Sequence, residues 1–154
     1  FILDPTPKKV ETIKEVSEKL GLERVNFTNL LKVEEKLPIF GDEKVYANNP
    51  IEDFLKAYRD CEFVVTDSFH GTCFAAIFNK PFITLGNIKR GVKRLESVTR
   101  WLKLTDRLIA EDADVLSNPK LFEKIDFKPV NKIMEKTQKE SLQWLKDAIS
   151  KMKY

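Results

Sequence analysis

Apolar residues recur every three or four positions over residues 10–20, which is the spacing of one buried helix face. Thr6 stands before this run as an N-cap residue, and Pro7 takes the first helical position, where its missing N–H costs nothing. Gly21 follows the last apolar residue of the run, and glycine is a common helix stop. The pattern therefore predicts a helix that begins at Pro7 and ends before Gly21.

Two short runs farther along, over residues 62–66 and 82–85, are apolar almost throughout. Such runs are typical of strands that are covered on both faces. Phe1-Ile2-Leu3 has the composition of the tail of a strand, and residues 29–45 show no regular pattern. Further strands are predicted over residues 24–28 and 107–109, and further helices from Pro50, over 70–78, over 95–102 and over 130–154.

Strands thus alternate with helices along the chain, which favours an α/β fold with a mostly parallel sheet and helices on both faces. We predict a Rossmann-like three-layer domain that spans residues 1–154 as a single unit, with 130–154 as a long amphipathic helix. The chain has 154 residues and a formal charge of +3 with both signs interspersed. That pattern does not favour a nucleic acid partner. The terminal helix carries Trp144 and several lysines and could lie on a membrane. Its mixed charges favour packing on protein, so membrane contact is expected to be peripheral at most.

The first candidate for chemistry is the loop at residues 66–72, which joins a buried strand to a helix. In open α/β sheets, ligands bind beyond the carboxyl ends of the strands. Asp67 or Ser68 can cap the helix, and the amides near His70, Gly71 and Thr72 would then point outward. Such a helix start attracts phosphate or carboxylate. Glycine at this position would also let a ligand approach the backbone.

The second candidate is the loop at residues 86–94, which carries four cations, Lys89, Arg90, Lys93 and Arg94. If the two strands are neighbours, this loop meets the first one, and arginine is well suited to bidentate contact with phosphate or carboxylate. Simpler interpretations stay open at this point. A lone histidine is usually structural, a capping residue needs no ligand, and a basic loop is often only solvated. No second ligand lies at useful spacing from the histidine, so no metal site is predicted.

Residues 49–55, 63–72 and 78–83 together resemble the polysaccharide pyruvyl transferase family, most specifically in the stretch Thr66-Asp67-Ser68-Phe69-His70-Gly71-Thr72. The resemblance continues through Gly86-Asn87, Arg90-Gly91 and Arg94 to residues 104–108. It implies the C-terminal half of an enzyme like those of glycosyltransferase-B type, made of two Rossmann-like halves. An N-terminal half of comparable size is then an expected partner, and this half alone is expected to be inactive.

The resemblance also implies an activity. The enzyme would transfer a pyruvyl group from phosphoenolpyruvate to sugar hydroxyls and form a ketal, in exopolysaccharide or cell-envelope polysaccharide biosynthesis in the cytoplasm. The expected partners are phosphoenolpyruvate as donor substrate and a saccharide acceptor, free or lipid-linked, with no separate cofactor. Two other functions remain open. One is a glycosyltransferase half that binds a nucleotide-sugar, with Glu52 at the start of the second helix. The other is a non-catalytic binding domain.

On this resemblance His70 is the catalytic residue, either as general acid/base or as an imidazolium that stabilises the leaving phosphate. The amides of Gly71 and Thr72 would hold the phosphate. Ser68 stands where many family members carry an arginine, which leaves more of the charge neutralisation to the second loop. The predicted substrate-binding residues are Ser68, Gly71, Thr72, Asn87, Lys89, Arg90 and Arg94.

Overall fold

The computed structural model describes residues 1–28, 44–47 and 50–152. Residues 29–45 were expected to be irregular, and the part of that segment over 29–43 lies outside the described residues. The chain divides into two compact units, Phe1–Lys124 and Ile125–Tyr154. Each is described by itself, and the single domain over residues 1–154 stays a prediction.

Helices and strands alternate along the first unit, as predicted, except that two strands follow one another over residues 25–47 in the described part of the chain. The second unit contains one long helix. The helices are α1 (Pro7–Leu20), α2 (Ile51–Asp60), α3 (Phe69–Ile77), α4 (Lys93–Trp101) and α5 (Phe127–Ser150). The strands are β1 (Val25–Thr28), β2 (Lys44–Ala47), β3 (Val64–Thr66), β4 (Phe82–Leu85) and β5 (Leu108–Ile109). Two short 3-10 turns lie at Thr105–Arg107 and Pro119–Phe122.

The capping of α1 confirms the prediction from sequence. The Thr6 side chain accepts a hydrogen bond from the Lys9 amide at 3.3 Å, and Pro7 occupies the first helical position. Gly21 ends the helix with a φ of 64°, in the left-handed region where a side chain is strained. Its amide donates to the Glu18 carbonyl at 3.2 Å.

The central sheet has the strand order β3-β4-β5, with every neighbouring pair parallel. All of β4 is buried. Ile83 and Leu85 belong to an apolar cluster with Val16 of α1, whereas the Thr84 hydroxyl contacts the Thr72 hydroxyl of α3 at 2.9 Å. Because successive side chains of a strand point to opposite faces, α1 and α3 cover opposite faces of the sheet. The first unit is therefore a Rossmann-like α/β layered fold, as predicted.

Two further features concern the start of the chain. Phe1 donates from its nitrogen to the Val65 carbonyl at 2.9 Å and so lies along β3, although the segment is not itself a regular strand. Separately, β1 and β2 form a parallel pair in which Val25 faces Lys44. The strand at Lys44–Ala47 is absent from the sequence prediction, because four residues carry too little periodicity and their partner strand is distant in sequence.

The second unit is built on α5, which has 24 residues. The helix begins at Phe127, three residues earlier than predicted, because Asp126 caps it by accepting from the Lys128 amide at 3.0 Å. Trp144 is the most exposed of its large apolar side chains, at 70%. In the described part of the chain, no helix combines the length and the apolar character that crossing a membrane requires.

Candidate active site

Asp67, the residue that follows β3, is the centre of a buried hydrogen-bond network and is only 2% exposed. Its Oδ1 accepts from the Leu3 amide at 2.6 Å. Its Oδ2 accepts from the Asp4 amide at 3.1 Å, from Lys9 Nζ at 2.8 Å and from Asn87 Nδ2 at 3.0 Å. Four donors compensate for the loss of water around this carboxylate. Asp67 thus joins the start of the chain, α1 and the loop after β4 to the end of β3.

Ser68, rather than Asp67, caps α3. Its Oγ accepts from the Gly71 amide at 3.3 Å, and its carbonyl accepts from the Thr72 amide at 2.9 Å and from the Thr72 hydroxyl at 3.0 Å. The structure differs here from the expectation that the Gly71 and Thr72 amides are free to hold phosphate. Both are engaged because a capped helix uses its third and fourth amides internally.

Gly71 faces the sheet. A Cβ atom built on it would overlap Thr66 Oγ1 and lie 2.9 Å from the Tyr58 hydroxyl. Burial also raises the pKa of the Tyr58 phenol well above its ordinary value, so the group stays neutral. The glycine therefore permits the close approach of α3 to β3, a role different from the predicted close approach of a ligand.

Within the described part of the chain, the amides left without an acceptor at this helix start are those of Phe69 and His70, two residues before the predicted pair of Gly71 and Thr72. This is expected for the first two positions of a helix. The His70 side chain is exposed, and its ring meets the Phe69 ring edge-on at 5.6 Å between centroids. This end of α3 therefore has two amides without an acceptor among the described residues, next to one exposed imidazole.

The second predicted loop does meet the first, because β3 and β4 are neighbours. Asn87 is 2% exposed and uses both ends of its amide. Its Nδ2 donates to Asp67 and, at 2.7 Å, to Asp4 Oδ2, and its Oδ1 accepts from the Arg90 amide at 3.1 Å. Asn87 is thus the direct link between the two loops.

Arg90 lies on the solvent-exposed side of Asn87 and Asp4. Its Nε and Nη2 donate to the two carboxylate oxygens of Asp4, at 2.5 and 3.2 Å. The hydrogen bond from Arg90 holds the pKa of the Asp4 carboxyl below its ordinary value, and the hydrogen bond from Asn87 acts in the same direction. The arginine side chain remains 44% exposed, so the guanidinium is both oriented and accessible.

The other cations of the loop are placed differently. Lys89 is exposed and makes no ion pair with any described residue. Arg94 donates from Nη2 to the Arg90 carbonyl at 3.1 Å, which supports the loop. Lys93 pairs with Glu96 at 3.0 Å on the surface of α4. Only Arg90 is therefore tied directly into the polar network around Asp67.

Three residues of this edge were not identified from the sequence, namely Asp4, Lys9 and Glu111. Glu111, which follows β5, accepts from Thr6 Oγ1 at 2.6 Å and lies 3.7 Å from Lys9 Nζ. Its position after a strand is a signal that could have identified it. Lys9 gives no such signal, because a lysine in the first turn of a helix is ordinarily solvated, yet here it is 1% exposed.

The carboxyl edge of the sheet thus combines acidic side chains with the basic side chains that contact them. Among the residues that the structure describes, no three histidine, cysteine, aspartate or glutamate side chains cluster as metal ligands would. The edge offers exposed cations, helix-start amides and an imidazole, which is the donor set that anionic ligands require.

A model of the family described as polysaccharide pyruvyl transferase matches residues 3–89, more than half of the chain. The chain belongs to the polysaccharide pyruvyl transferase family. Comparison with curated proteins and with solved structures gives no significant match. Membership of the pyruvyl transferase family assigns the chain to the transferases of polysaccharide biosynthesis.

The matched range of this pyruvyl transferase family member contains Asp4, Lys9, Asp67, His70 and Asn87. It ends at Lys89, so the last two residues of the predicted site, Arg90 and Arg94, lie outside it, Arg90 directly after its end. The structure connects one of them to the matched part, through the contacts of Arg90 with Asp4 and Asn87.

Proposed function

We propose that the chain carries the donor site of a pyruvyl transferase that takes phosphoenolpyruvate and transfers its pyruvyl group to two hydroxyls of a saccharide. The observation that carries the proposal is the junction of the two loops, in which Asn87 bonds to Asp67 at 3.0 Å. This junction brings the His70 end of α3 and the Arg90 loop to the same edge of the sheet. Phosphoenolpyruvate has a phosphate and a carboxylate, so its binding requires several donors and cations in one place.

The donor groups have distinct parts in this proposal. Arg90, with Lys89 beside it, contacts the anionic groups of the donor. The amides of Phe69 and His70 donate hydrogen bonds to the phosphate at the start of α3, where the helix dipole favours negative charge. Three predicted substrate-binding residues have a supporting part and do not contact the donor. Ser68 caps α3, the Thr72 hydroxyl bonds to the Ser68 carbonyl, and Gly71 allows the helix to lie close to the sheet.

The reaction has a simple balance. The enol carbon C2 forms two C–O bonds to sugar oxygens and breaks its bond to the phosphate oxygen. Of the two protons that the hydroxyls release, one goes to C3, which becomes a methyl group, and one leaves with the phosphate. His70 is proposed to carry protons in these steps, because an imidazole can both accept and donate a proton.

The acceptor, the second half of the enzyme and the cellular compartment are part of the same proposal. The acceptor, free or lipid-linked, is assigned to an N-terminal half of a glycosyltransferase-B-like enzyme. The reaction is placed in the cytoplasm, where phosphoenolpyruvate is made, with no separate cofactor.

Ligand binding tests the proposal directly, because His70 is the only histidine of the chain. The Hε1 proton of its ring gives a single resolvable signal in a proton NMR spectrum, which reports on the site without assignment of the rest. Titration with phosphoenolpyruvate should shift this signal and should give saturation transfer to the ligand. Arg90→Ala, which keeps the histidine signal, should weaken binding, whereas Arg59→Ala, on the surface at the end of α2, should not.

UDP and a UDP-sugar serve as comparison ligands in the same titration. Binding of the nucleotide without phosphoenolpyruvate would replace the proposal with that of a glycosyltransferase half. Binding of neither by the folded chain would favour a non-catalytic domain.

A further inference from the structure

The contact between Asp4 and Arg90 indicates a role for Asp4 that the residue motifs do not assign. The Asp4 side chain is 21% exposed, and both of its oxygens face the guanidinium of Arg90. Its Oδ2 also accepts from Asn87 Nδ2 at 2.7 Å. The carboxylate is therefore held from one side by a buried amide and holds the arginine on its other side.

Arg90 is oriented by two independent contacts. Its amide is bound by Asn87 Oδ1 at 3.1 Å, and its side chain is bound by Asp4 through Nε and Nη2. Nη1 has no hydrogen-bond partner within the described residues. A guanidinium presents more than one edge, so the edge that includes Nη1 stays available to a second anion.

We propose that Asp4 is a positioning residue, which holds Arg90 so that the free edge of its guanidinium contacts the donor. The inference rests on the proposed function, since it assumes that the donor is phosphoenolpyruvate. The physical reason is entropic. An arginine side chain loses considerable rotamer freedom when it binds an anion, and part of that loss has already occurred where a carboxylate holds the side chain.

The same contact could instead make Asp4 compete with the donor for the Arg90 guanidinium. Asp4 could neutralise Arg90, so that the donor must displace it. Two features of the structure favour positioning. Asp4 uses Nε and Nη2 and leaves Nη1 free, and the carboxylate is itself fixed by Asn87, so it does not depend on Arg90 for all of its hydrogen bonds.

The test is a double-mutant cycle on phosphoenolpyruvate binding, measured by titration calorimetry on the 154-residue chain. Asp4→Asn should raise the Kd about tenfold, because an asparagine can accept with only one of its two terminal atoms. In an Arg90→Ala background the same change should alter Kd by less than about twofold, because the residue through which Asp4 acts is absent. Asp4→Glu should recover part of the affinity, since it restores the carboxylate.

The chain supplies a matched control. Arg59 donates from Nε and Nη2 to the carboxylate of Asp60, at 2.7 and 2.9 Å, in the same arrangement but at the end of α2. Asp60→Asn should leave the Kd unchanged. Thermal unfolding of every variant shows whether the fold persists.

The outcomes separate the two proposals. A wild-type chain that is folded but does not bind phosphoenolpyruvate overturns both. Binding by the wild type together with an equal effect of Asp4→Asn in both backgrounds overturns only the positioning role, because Asp4 would then act on the fold and not through Arg90. Tighter binding by Asp4→Asn would establish competition instead.

Discussion

Lys9 and Asp67 form a buried ion pair, with 2.8 Å between Nζ and Oδ2 and with side chains 1% and 0% exposed. The two partners are not equivalent. Asp67 has three donors besides Lys9, whereas Lys9 has the Asp4 carbonyl at 2.9 Å and the more distant Glu111 carboxylate at 3.7 Å. This pair ties α1 to the carboxyl end of β3, and so supports the edge on which the candidate site is built.

The asymmetry of this pair predicts an asymmetry in stability. Asp67→Asn should lower the free energy of unfolding by about 3–5 kcal/mol, because it leaves a buried ammonium without its nearest counter-charge. Lys9→Met should cost less, because the carboxylate keeps three donors. Urea denaturation of both variants and of the double variant measures this. Equal losses for the two single variants would contradict the prediction.

Gly71→Ala should also destabilise the fold, by about 1–3 kcal/mol, because its methyl group would meet Thr66 Oγ1 and the Tyr58 hydroxyl. Gly21→Ala is the matched control. At that position nothing lies within 4 Å of an added Cβ, and the cost arises only from its positive φ, at about 1–2 kcal/mol. The distinguishing measurement is a double-mutant cycle with Thr66→Ala, which by itself removes hydrogen bonds to Phe1 and Ser68. Thr66→Ala should cost less stability in the Gly71→Ala background than in the wild type, because it also removes the overlapping hydroxyl, and should cost the same in the Gly21→Ala background. An equal cost in all three backgrounds would argue against steric overlap.

Thr72 is expected to matter for stability and not for donor contact. Its side chain is fully buried, and its hydroxyl bonds to the Ser68 carbonyl and to Thr84 Oγ1. Thr72→Val should therefore reduce the free energy of unfolding by about 1–3 kcal/mol, since it leaves buried polar groups with fewer partners. Thr72→Ser, which keeps the hydroxyl, should cost less. Neither change should alter the Kd for phosphoenolpyruvate by more than about twofold. A large loss of affinity in a stable Thr72→Val variant would instead indicate that Thr72 contacts phosphoenolpyruvate directly.

The Asp4 carboxyl should titrate below its usual range, since the Arg90 hydrogen bond lowers its pKa. A carboxyl whose pKa is lower in the folded chain contributes stability at pH values above its unfolded pKa. It loses that contribution as the pH falls through its folded pKa. Carbon-detected NMR titration of the side-chain carboxyl follows this directly. Arg90→Ala should raise the Asp4 pKa toward its ordinary value, and Arg59→Ala should leave it unchanged.

His70 should affect turnover more than donor affinity if it carries protons. His70→Gln, in the enzyme assayed with its saccharide acceptor, should lower kcat by about 10²–10⁴-fold. The KM for phosphoenolpyruvate should change much less, whereas Arg90→Ala should raise this KM. The two variants thus separate proton transfer from anion binding. A His70→Gln variant with normal kcat would exclude the catalytic role.

Much of the first unit was predictable from local patterns, and the structure confirms those parts. The Thr6 cap, the stop at Gly21, the buried strand at Phe82–Leu85 and the helix after Ser68 all depend on residues close in sequence. The sequence also indicated that the two loops would meet if the strands before them were neighbours, because parallel neighbouring strands bring their carboxyl ends to one edge. The pairing of β3 with β4 fulfils that condition. The family followed from the stretch around His70 for the same reason, since its residues are contiguous.

The engagement of the Gly71 and Thr72 amides is a local effect, because Ser68 caps the helix three and four residues before them. The partners of the Arg90 side chain, in contrast, were decided by the tertiary structure. Nothing near residue 90 indicates that its guanidinium would meet Asp4, which lies 86 positions earlier. In the same way, Lys9 is buried only because Asp67 and Glu111 arrive from the ends of two different strands. Local propensity acts over a few residues, and it can determine caps, helices and strands. The partners of a charged side chain depend on which distant backbone segments the sheet brings together, and that is a property of the fold as a whole.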